Sequence, residues 1–539
     1  MADAKNYVFG IDLGTTYSCI AYVDESGRAE VINNLDGTNT TPSVVSFTSP
    51  SEVTVGQTAK ENAVLEPDTT ISLVKTLMGK SSFAINYNGR DMTPEEVSSY
   101  ILGKITGDAS KILGVEVKNV VITVPAYFGT AEREATKAAG EIAGLNVLGI
   151  LSEPTAAAIH YGIMREQVDK TVLIYDLGGG TFDVTVLHIS PGKVEVVCSE
   201  GNHDLGGRLW DEQIMLYLEA EYRSQTDYEE ELSPSEMQDL RITAEKTKQQ
   251  LTNRQEVPVA VRIGLRPARV ILSKDTFTEL TQHLIDETIT LTERSIEIAK
   301  SKGFGIDEIL LVGGSTRMPQ VDDALAAKFG MKPKLLEPDE TVAKGAALHA
   351  VAVYVHGQKN PEDGGSSDET VHGGPKKLGS NPPLDSRDTG SNVQVIVATT
   401  KSYAIQIIDE NDKSVCYNMI IKNEPMPGGS VTHSEEFGTY SANQTNVQLE
   451  VYESDYMEKT FEIDDELKLG EAILELAKGL PKGSPIQVTF ILTEDGMLEL
   501  TGVDKTSGKQ VKATMQIKGL ISREEIEEAK KHRSGITIL

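Results

Sequence analysis

Short apolar runs recur through the first part of the chain and end in Asp, Gly or Pro. They lie at residues 8–11, 120–124, 172–175 and 309–312. Runs of this length without polar alternation predict strands that are buried on both faces of a sheet. Helix-like patterns fill the intervals between them, so residues 1–356 are predicted to form an α/β domain.

Three helix starts carry a capping residue followed by Glu three positions later. Residues 93–96 (Thr-Pro-Glu-Glu) and 233–236 (Ser-Pro-Ser-Glu) add Pro at the first helical position, and residues 522–525 repeat the capping box near the end of the chain. A further helix is predicted over residues 274–301. The last helix is expected to run to His532, with Gly535 as its C-cap.

The composition changes after residue 356, and the hydrophobic period changes after residue 391. Residues 357–391 are rich in Gly, Pro, Ser and Asp and lack aromatic residues, which predicts a flexible linker. Residues 392–520 contain alternating apolar runs between turn residues, which predicts an antiparallel β domain. These runs lie at 392–400, 403–408, 415–421, 446–452, 485–492 and 497–503. Residues 521–539 are predicted to be a short C-terminal helix.

Composition and charge narrow the class of protein. The chain has 539 residues, 39% hydrophobic and 24% charged, which is typical of a soluble protein with several domains. We find no apolar run near the roughly 18 residues of a membrane span, no secretory signal, and no metal or disulfide spacing among the three cysteines. A cytoplasmic protein is therefore expected. The formal net charge of −30 argues against nucleic acid and anionic membranes as partners.

Two segments of the first domain repeat one pattern. Residues 10–24 (GIDLGTTYSCIAYVD) and 175–189 (YDLGGGTFDVTVLHI) each contain an apolar strand, an Asp-Leu-Gly turn and a second apolar strand. A repeat of this kind indicates duplication of a whole subdomain. Glycine lets backbone N–H groups approach a phosphate closely, and Thr15, Thr16 and Thr181 supply hydroxyl donors.

The acids in these turns suit a hydrated magnesium ion. Asp12 and Asp176 each end an apolar strand, and Mg²⁺ prefers oxygen ligands while it keeps several of its waters. A third glycine loop, at residues 312–319 (VGGSTRMP), opens toward a helix whose N-terminus suits a nucleotide. The sequence contains no GxxxxGK[ST] pattern, so the site is not a P-loop.

Either hairpin taken alone is more often a purely structural turn. Two matched copies with the third loop instead indicate the actin-like ATPase fold, which binds ATP between two related lobes. The predicted fold is therefore an α/β actin-like ATPase domain with two duplicated lobes, an antiparallel β-sandwich domain and a short C-terminal helix.

Six segments resemble the seventy-kilodalton heat-shock (DnaK-type) chaperones, and the short first lobe resembles bacterial members. They are IDLGTTYSCIA, VITVPAYF, EIAGLNVLGILSEPTAAAIHYG, DLGGGTFDV, LVGGSTRMP and EPDETVAKGAA. Sugar kinases and actin share the loops but not EPTAAAIHYG. The resemblance implies an ATPase that binds exposed apolar segments of unfolded polypeptides. It also implies ATP, ADP, Mg²⁺ and K⁺ as ligands, and a J-domain co-chaperone and a nucleotide exchange factor as partners.

The resemblance assigns roles on the phosphate side. The residues that would contact the β- and γ-phosphates are Gly14, Thr15, Thr16, Tyr17, Gly178, Gly179, Gly180 and Thr181. Lys75 would stabilise charge on the γ-phosphate, and Glu153 would place the attacking water. Asp183 would orient that water or take its proton, while Asp12 and Asp176 would hold Mg²⁺ through water. The alternatives are a solvated Lys75 and an Asp183 that merely caps a turn.

On the adenosine side, the resemblance points to one helix and two loops. The implied residues are Glu245, Lys248, Thr252, Gly313, Gly314, Ser315, Arg317 and Asp339. Gln249 occupies the position where many members carry an arginine that stacks on adenine. Because a neutral amide cannot replace that stacked cation, weaker nucleotide affinity is expected.

The β domain resembles the peptide-binding sandwich of the same family. An extended peptide would lie in an apolar groove and bind through its backbone. The implied groove residues are Ile405, Ile408, Phe437, Tyr440, Val447, Leu449 and Met497. The alternative is that some of them fill the core, because alternate strand positions face inward.

Two departures from the family pattern bear on function. Family members usually carry a run of leucines with acidic residues on either side between the two domains. Residues 392–398 occupy that position here and lack the acids, so the coupling of ATP binding to peptide release is in doubt. The helix at 522–532 corresponds only to the start of a lid, so bound peptide is expected to exchange quickly. The alternative function is an ATP-bound regulatory or co-chaperone relative with a weak or uncoupled ATPase. A sugar kinase or actin-like filament would not explain the β domain.

Overall fold

The structure is a computed structural model that describes residues 7–80, 85–163, 169–264, 266–359, 394–493, 496–514 and 521–539. Residues 360–391 of the predicted linker lie outside the described residues. The first three residues of that linker, 357–359, belong to a helix that continues to Lys359.

The helices of the described residues are α1 (Gln57–Asn62), α2 (Pro94–Leu113), α3 (Thr130–Ile142), α4 (Glu153–Ile163), α5 (Gly207–Thr226), α6 (Pro234–Leu251), α7 (Lys274–Ser301), α8 (Pro319–Phe329), α9 (Thr341–Lys359) and α10 (Arg523–Ser534). Of these, α2, α6, α7 and α10 begin at the predicted starts. The capping boxes at Ser233 and Ser522 are confirmed. At α2, Thr93 accepts a hydrogen bond from the Glu96 N–H, but the Glu96 carboxylate binds Arg90 and His532 instead of completing the box.

The strands of the first part lie between residues 8 and 335. They are β1 (Val8–Asp12), β2 (Tyr17–Val23), β3 (Ala29–Val31), β4 (Thr41–Pro42), β5 (Val45–Ser49), β6 (Glu52–Val55), β7 (Thr70–Ile71), β8 (Ile85–Tyr87), β9 (Arg90–Met92), β10 (Asn119–Val124), β11 (Asn146–Ser152), β12 (Lys170–Leu177), β13 (Phe182–Ser190), β14 (Lys193–Asn202), β15 (Glu256–Ile263), β16 (Arg266–Ser273), β17 (Glu308–Val312) and β18 (Lys334–Leu335).

Two sheets of this part share one strand arrangement. The first sheet runs β11-β10-β1-β2-β3 and the second begins β18-β17-β12-β13-β14. Each combines three antiparallel strands with two parallel ones, and each predicted hairpin joins the first two antiparallel strands. We call the parts built on these sheets the first lobe and the second lobe. The apolar helices α4 and α9 pack between the two sheets, where Ala156 and Ala347 are fully buried with Val172.

The remaining strands and α10 form the second part. The strands are β19 (Gln394–Ala398), β20 (Ser402–Ile408), β21 (Ser414–Ile420), β22 (Pro425–Met426), β23 (Ser430–Gly438), β24 (Asn446–Ser454), β25 (Thr460–Phe461), β26 (Lys468–Glu475), β27 (Pro485–Thr493), β28 (Leu498–Asp504), β29 (Gln510–Thr514) and β30 (Thr537–Ile538). Sheets β25-β21-β20-β24-β26 and β23-β27-β28-β29 enclose one core that contains Tyr403, Val451 and Phe490.

Among the strands of five or more residues in the second part, sequence reasoning missed β23, β26 and β29. Most side chains of β23 are exposed, so its sequence SVTHSEEFG lacks a clear apolar alternation. A strand whose outer face is polar and whose inner face is only partly covered gives a weak period-two signal. Its backbone is nonetheless fully paired with β27, from Ser430 opposite Thr493 to Gly438 opposite Pro485.

Two secondary-structure elements of the second part, β19 and α10, pack directly on the lobes. Strand β19 lies parallel to β14, with Lys193 opposite Gln394, and thus extends the sheet of the second lobe. Helix α10, predicted as the start of a lid over the β-sandwich, packs its buried Ile526 and Ala529 against α3 of the first lobe. Its C-cap Gly535 has a right-handed φ of −89°.

Candidate functional site

A cleft of about 720 Å³ between the two lobes gathers most of the predicted nucleotide residues. Those on its wall are Asp12, Gly14, Thr15, Thr16, Tyr17, Lys75, Glu153, Asp176, Gly178, Gly179, Thr181, Glu245, Lys248, Thr252, Gly313, Gly314, Ser315, Arg317 and Asp339. Gly180 and Asp183 are not on the wall. Gly180 lies against Thr15, and Asp183 pairs with Asp176 across the β12–β13 hairpin.

The turns of the two hairpins touch each other across the cleft. A Cβ atom on Gly179 would lie 2.3 Å from the Thr16 methyl carbon, and one on Gly180 would lie 2.6 Å from the Thr15 methyl carbon. Any side chain at these positions would therefore push the lobes apart. The amides of Gly207 and Arg208, at the start of α5, donate to the carbonyls of Gly178 and Gly179 and fix the second turn. Glycine is required here by close approach rather than by backbone angle.

Four carboxylates surround a single lysine at the floor of the cleft. Lys75 donates to Glu153 at 2.6 Å, and Asp12, Asp176 and Asp183 complete the group. Burial, and then the charge of Glu153, raises the pKa of Asp12 to about 7. Burial followed by Glu153 also raises the pKa of Asp176 and of Asp183 well above the ordinary range. The negative charge in this group exceeds what Lys75 can balance, so the site favours a bound cation.

The burial of Lys75 excludes the alternative of a solvated side chain. It is only 4% exposed, on a 3₁₀ turn that follows Leu73 in the left-handed region. Its ammonium lies 5.8 Å from the centre of the Phe128 ring. A buried lysine requires a charged partner, and Glu153 supplies it.

Asp183 is a strand residue rather than a turn cap. It is 1% exposed within β13 and accepts hydrogen bonds from the backbone of Ala126 and Tyr127. Its Oδ1 has no hydrogen-bond partner in the described part of the chain. An ionisable oxygen that is buried without a partner is costly, and such groups concentrate at functional sites.

The carboxylates do not form a direct metal-chelating cluster. Within the described residues, no three His, Cys, Asp or Glu side chains lie close enough together to coordinate one ion. The Thr123 hydroxyl donates to Asp12 at 3.2 Å and orients that carboxylate. The donor set therefore fits a hydrated Mg²⁺ that is contacted through its waters, and it does not fit a dehydrated ion in a protein cage.

The adenosine end of the cleft is closed by polar contacts between the lobes. Glu245 on α6 accepts hydrogen bonds from Lys60 at 2.6 Å and from the Tyr17 hydroxyl at 3.1 Å. Lys248 donates to Asp211 and to the Gly207 carbonyl, both at 2.9 Å. Sequence reasoning missed Lys60 and Asp211, because neither lies in a glycine motif. The helical spacing of Lys60 on α1 gives no signal that it reaches the opposite lobe.

The third glycine loop packs directly under the second hairpin. Gly313 has φ of +84°, and a Cβ there would lie 2.5 Å from Asp176 Oδ1. The Ser315 hydroxyl donates to the Gly178 carbonyl at 2.9 Å, and Arg317 pairs with Asp339. Gln249 lies on the cleft wall and donates weakly to Glu245 at 3.5 Å.

The predicted peptide-groove residues separate into three groups. Ile405 and Leu449 are each 2% exposed in the sandwich core, which is the alternative left open by the sequence. Ile408 and Tyr440 are 42% and 50% exposed, while Phe437 and Val447 are half-buried. Met497 follows the β27 end that pairs with Ser430, whereas Phe437 pairs near the other end of β23. At the usual rise per residue, Met497 is roughly 20–25 Å from Phe437, too far for one short groove.

Buried contacts between the two lobes and the β-sandwich were also missed by sequence reasoning. Lys422 pairs with Glu200 at 3.3 Å, with both side chains under 7% exposed. The Ser199 amide donates to Asn423 Oδ1 at 2.9 Å, and Asn423 has a left-handed φ of 68°. Glu453 accepts hydrogen bonds from the amide and hydroxyl of Thr130 at 3.2 Å and thereby caps α3.

Among the described residues, no helix is both long and apolar enough to cross a membrane.

The related lobes and the charged cleft between them define a two-lobed ATPase joined to a β-sandwich. The family model described as Hsp70 protein matches residues 8–363 and 391–536. Chaperone protein DnaK of Thermosipho melanesiensis is 35% identical over 99% of this chain and 84% of its own length. The proteins of the same name from Thermotoga petrophila and Thermosipho africanus are 35% and 36% identical over 99% and 98% of this chain, and 85% and 84% of their own lengths.

The chain belongs to the Hsp70 family. It is an ATP-dependent molecular chaperone whose ATPase activity is coupled to chaperoning. As in the family generally, it binds ATP and ADP with Mg²⁺, and it works on unfolded polypeptides with co-chaperones.

Proposed function

We propose that ATP is hydrolysed where the two hairpin turns meet. Thr15 and Thr16 with Gly14 and Tyr17 contact the β- and γ-phosphates from the first lobe. The matching contacts from the second lobe come from Gly178, Gly179, Gly180 and Thr181. The observation that carries this proposal is the direct contact of the two turns above a buried lysine and four carboxylates. Two turns that close on one anion give the positioning that phosphoryl transfer needs.

The buried charged groups then divide the chemistry. Lys75 stabilises charge that develops on the γ-phosphate, and Glu153, which it contacts at 2.6 Å, places the attacking water. Asp183 orients the water or takes its proton. Asp12 and Asp176 hold Mg²⁺ through its waters, and the ion neutralises phosphate charge when bound. K⁺ is proposed as a further counter-ion. The adenosine is held by Glu245, Lys248, Thr252, Gly313, Gly314, Ser315, Arg317 and Asp339.

The substrate side is proposed to use the exposed end of the β-sandwich. Ile408 and Tyr440 are accessible to an apolar segment of an extended polypeptide, with Phe437 and Val447 beneath them. The domain bounds proposed from the sequence are 1–356, 357–391, 392–520 and 521–539, except that α9 continues to Lys359 and β19 joins the sheet of the second lobe. A J-domain co-chaperone and a nucleotide exchange factor are the proposed partners. The proposed location is the cytoplasm, with no role for nucleic acid or membrane.

Coupling of the two activities is supported by the position of β19. Residues 394–396 pair with β14, which in turn pairs with β13, the strand that carries Asp183. A change in nucleotide can therefore alter the sheet to which the β-sandwich is attached. Residues 392–398 lack the acids usual in the family, but β19 can still pair with β14, because this pairing is formed by main-chain hydrogen bonds.

Single-turnover hydrolysis of ATP tests the proposal. We expect Lys75→Ala to lower the rate about 100-fold or more, the usual cost of removing one group that stabilises transition-state charge. Lys80→Ala removes an exposed lysine five residues away and should change the rate by less than about twofold. Equal rates for the two variants would contradict the assignment. An apolar peptide with a J-domain partner should accelerate the wild-type rate, and a lack of acceleration would favour an uncoupled regulatory relative.

A further inference from the structure

A second cavity, separate from the nucleotide cleft, lies where the two lobes meet the β-sandwich. Its volume is about 260 Å³, and none of the described residues lines both this cavity and the cleft. Its wall includes β11 of the first lobe, β14 of the second lobe, α9 between the two sheets, and β19, β20 and β27 of the second part. We call this space the junction cavity, because both lobes and the β-sandwich contribute to it.

Much of the wall of the junction cavity is apolar. Leu148 and Ile150 contribute from β11, Val196 from β14, Val353 from α9 and Leu492 from β27. An apolar cavity of about 150 Å³ accommodates benzene, so the junction cavity has room for a molecule of roughly two fused rings. Its size and its wall therefore suit a small organic ligand.

The wall offers little to a charged ligand. Arg133 is the one charged side chain among the lining residues that the structure describes. It is 6% exposed, and its Nε donates to the Phe128 carbonyl at 3.0 Å, so it is already engaged within the first lobe. An ion that entered the cavity would lose its hydration without gaining a free counter-ion, which is costly. An uncharged ligand is therefore favoured.

One polar ring on the wall lacks a partner. The imidazole of His349, on α9, has no hydrogen bond or ion pair within the part of the chain that the structure describes. Burial lowers the pKa of His349 to about 4, so near neutral pH the ring presents one N–H donor and one bare nitrogen acceptor. Four hydroxyls of the same wall are satisfied by each other, Ser152 with Thr155 at 2.5 Å and Thr185 with Ser199 at 2.8 Å. A polar group that is buried without a partner requires an explanation, and a ligand provides one.

We propose that the junction cavity binds a small uncharged heteroaromatic molecule, about the size of two fused rings, which forms a hydrogen bond with His349. Its rings contact the apolar side chains of β11, β14 and β27, and its heteroatom faces α9. Because these elements belong to both lobes and to the β-sandwich, the bound molecule stabilises their association relative to any arrangement in which they separate. The site goes beyond the proposed ATPase and peptide-binding functions and does not depend on either assignment.

Indole is a suitable probe, because it has two fused rings, no charge and one N–H group. Isothermal titration calorimetry of the full chain should show saturable binding to one site, measured without nucleotide, with MgADP and with a non-hydrolysable MgATP analogue. Absence of saturable binding in all three conditions would overturn the proposal, since the cavity would then hold only water.

Hydrogen exchange locates the bound indole. The Ser199 amide lies at the cavity wall and donates to Asn423 Oδ1 at 2.9 Å, so saturating indole should slow its exchange by about threefold or more. The Tyr440 amide, at the exposed end of the β-sandwich, should not change. Protection of Tyr440 without protection of Ser199 would place indole in the peptide-binding region and would also overturn the proposal.

Two histidines provide a matched pair of variants. His349→Leu keeps an uncharged side chain of similar size but removes the hydrogen bond, so the dissociation constant for indole should rise about fivefold to tenfold. His283→Leu makes the same replacement on the exposed face of α7 and should leave the affinity unchanged. Equal affinity for the two variants would reject the hydrogen bond to His349.

A third variant fills the cavity and keeps the proposal testable if His349→Leu fails to fold. Val353→Phe adds a ring at a half-buried position of the wall and should weaken indole binding about tenfold or more, because the added ring occupies the space of the ligand. Unchanged affinity in Val353→Phe would show that indole binds elsewhere and would overturn the proposal.

Discussion

The nucleotide cleft and the contact of the second lobe with the β-sandwich both bury charge, but only one of them balances it. At the floor of the cleft, the carboxylates of Asp12, Glu153, Asp176 and Asp183 outnumber the ammonium of Lys75, and the pKa of each Asp is raised. At the interdomain contact, Glu200 is instead matched by Lys422 at 3.3 Å and Arg294 at 3.8 Å, and Lys422 also pairs with Asp455 at 3.1 Å. A buried group with uncompensated charge is built for a ligand of opposite charge, whereas a matched pair holds two surfaces together.

The largest expected effect comes from neutralising one cleft carboxylate. Asp183→Asn keeps the shape of the side chain but should lower ATP hydrolysis about 100-fold or more, because it removes a proton acceptor. The same change should stabilise the nucleotide-free fold by about 1–3 kcal/mol. Burial raises the pKa of Asp183, so its ionised form destabilises the fold, and that penalty grows as the pH rises above the ordinary Asp range. Hydrolysis rates and thermal unfolding of the same sample measure both outcomes.

A loss of activity without any gain in stability would show that burial of the Asp183 carboxylate does not destabilise the nucleotide-free protein. Lowered stability would show that its contacts with Ala126 and Tyr127 outweigh burial. Either result would contradict the claim that the cleft carries uncompensated charge while the interdomain contact does not.

The matched pair should respond in the opposite direction. Lys422→Met keeps much of the side-chain volume but leaves Glu200 without its nearest partner, so the interdomain contact should weaken by about 3 kcal/mol. Hydrogen exchange at the Ser199 amide, which donates to Asn423, reports that loss. Lys413→Met breaks an exposed pair with Glu462 and should cost less than about 1 kcal/mol. Similar exchange in the two variants would mean that the buried pair does not hold the domains together.

The smallest expected effect concerns the adenosine end. Gln249→Arg places a cation on the cleft wall and should tighten nucleotide binding about twofold to fivefold, the range of an exposed cation–π contact. Isothermal titration calorimetry with ADP measures it, and Gln250→Arg on the same helix is the control. Unchanged affinity for Gln249→Arg would show that the neutral amide costs nothing.

The sequence predicted the cleft far better than the interdomain contact, and the reason is physical. Short motifs contain Asp12, Asp176 and Gly313. Each motif combines an apolar strand with a glycine turn, and that combination predicts the local geometry. Lys422 and Glu200 have no such motif, since each is an ordinary charged residue until the fold brings them together. Gly103 is the intermediate case, because a glycine inside α2 is noticeable in the sequence, but the Arg533 and Ile538 side chains that lie against it are visible only in the structure. Ile405 and Leu449 show the same limit, because alternation alone does not tell the core face from the groove face.

Thermal unfolding with ATP, with and without Mg²⁺, tests the central claim most directly. If the two hairpin turns close on one hydrated magnesium nucleotide, saturating MgATP should stabilise the chain by about 3–4 kcal/mol at 100 to 1,000 times its dissociation constant. Removal of Mg²⁺ should abolish most of that gain, because the uncompensated carboxylates then face the phosphates directly. An unfolding temperature that does not change with millimolar ATP, whether or not Mg²⁺ is present, would contradict the account.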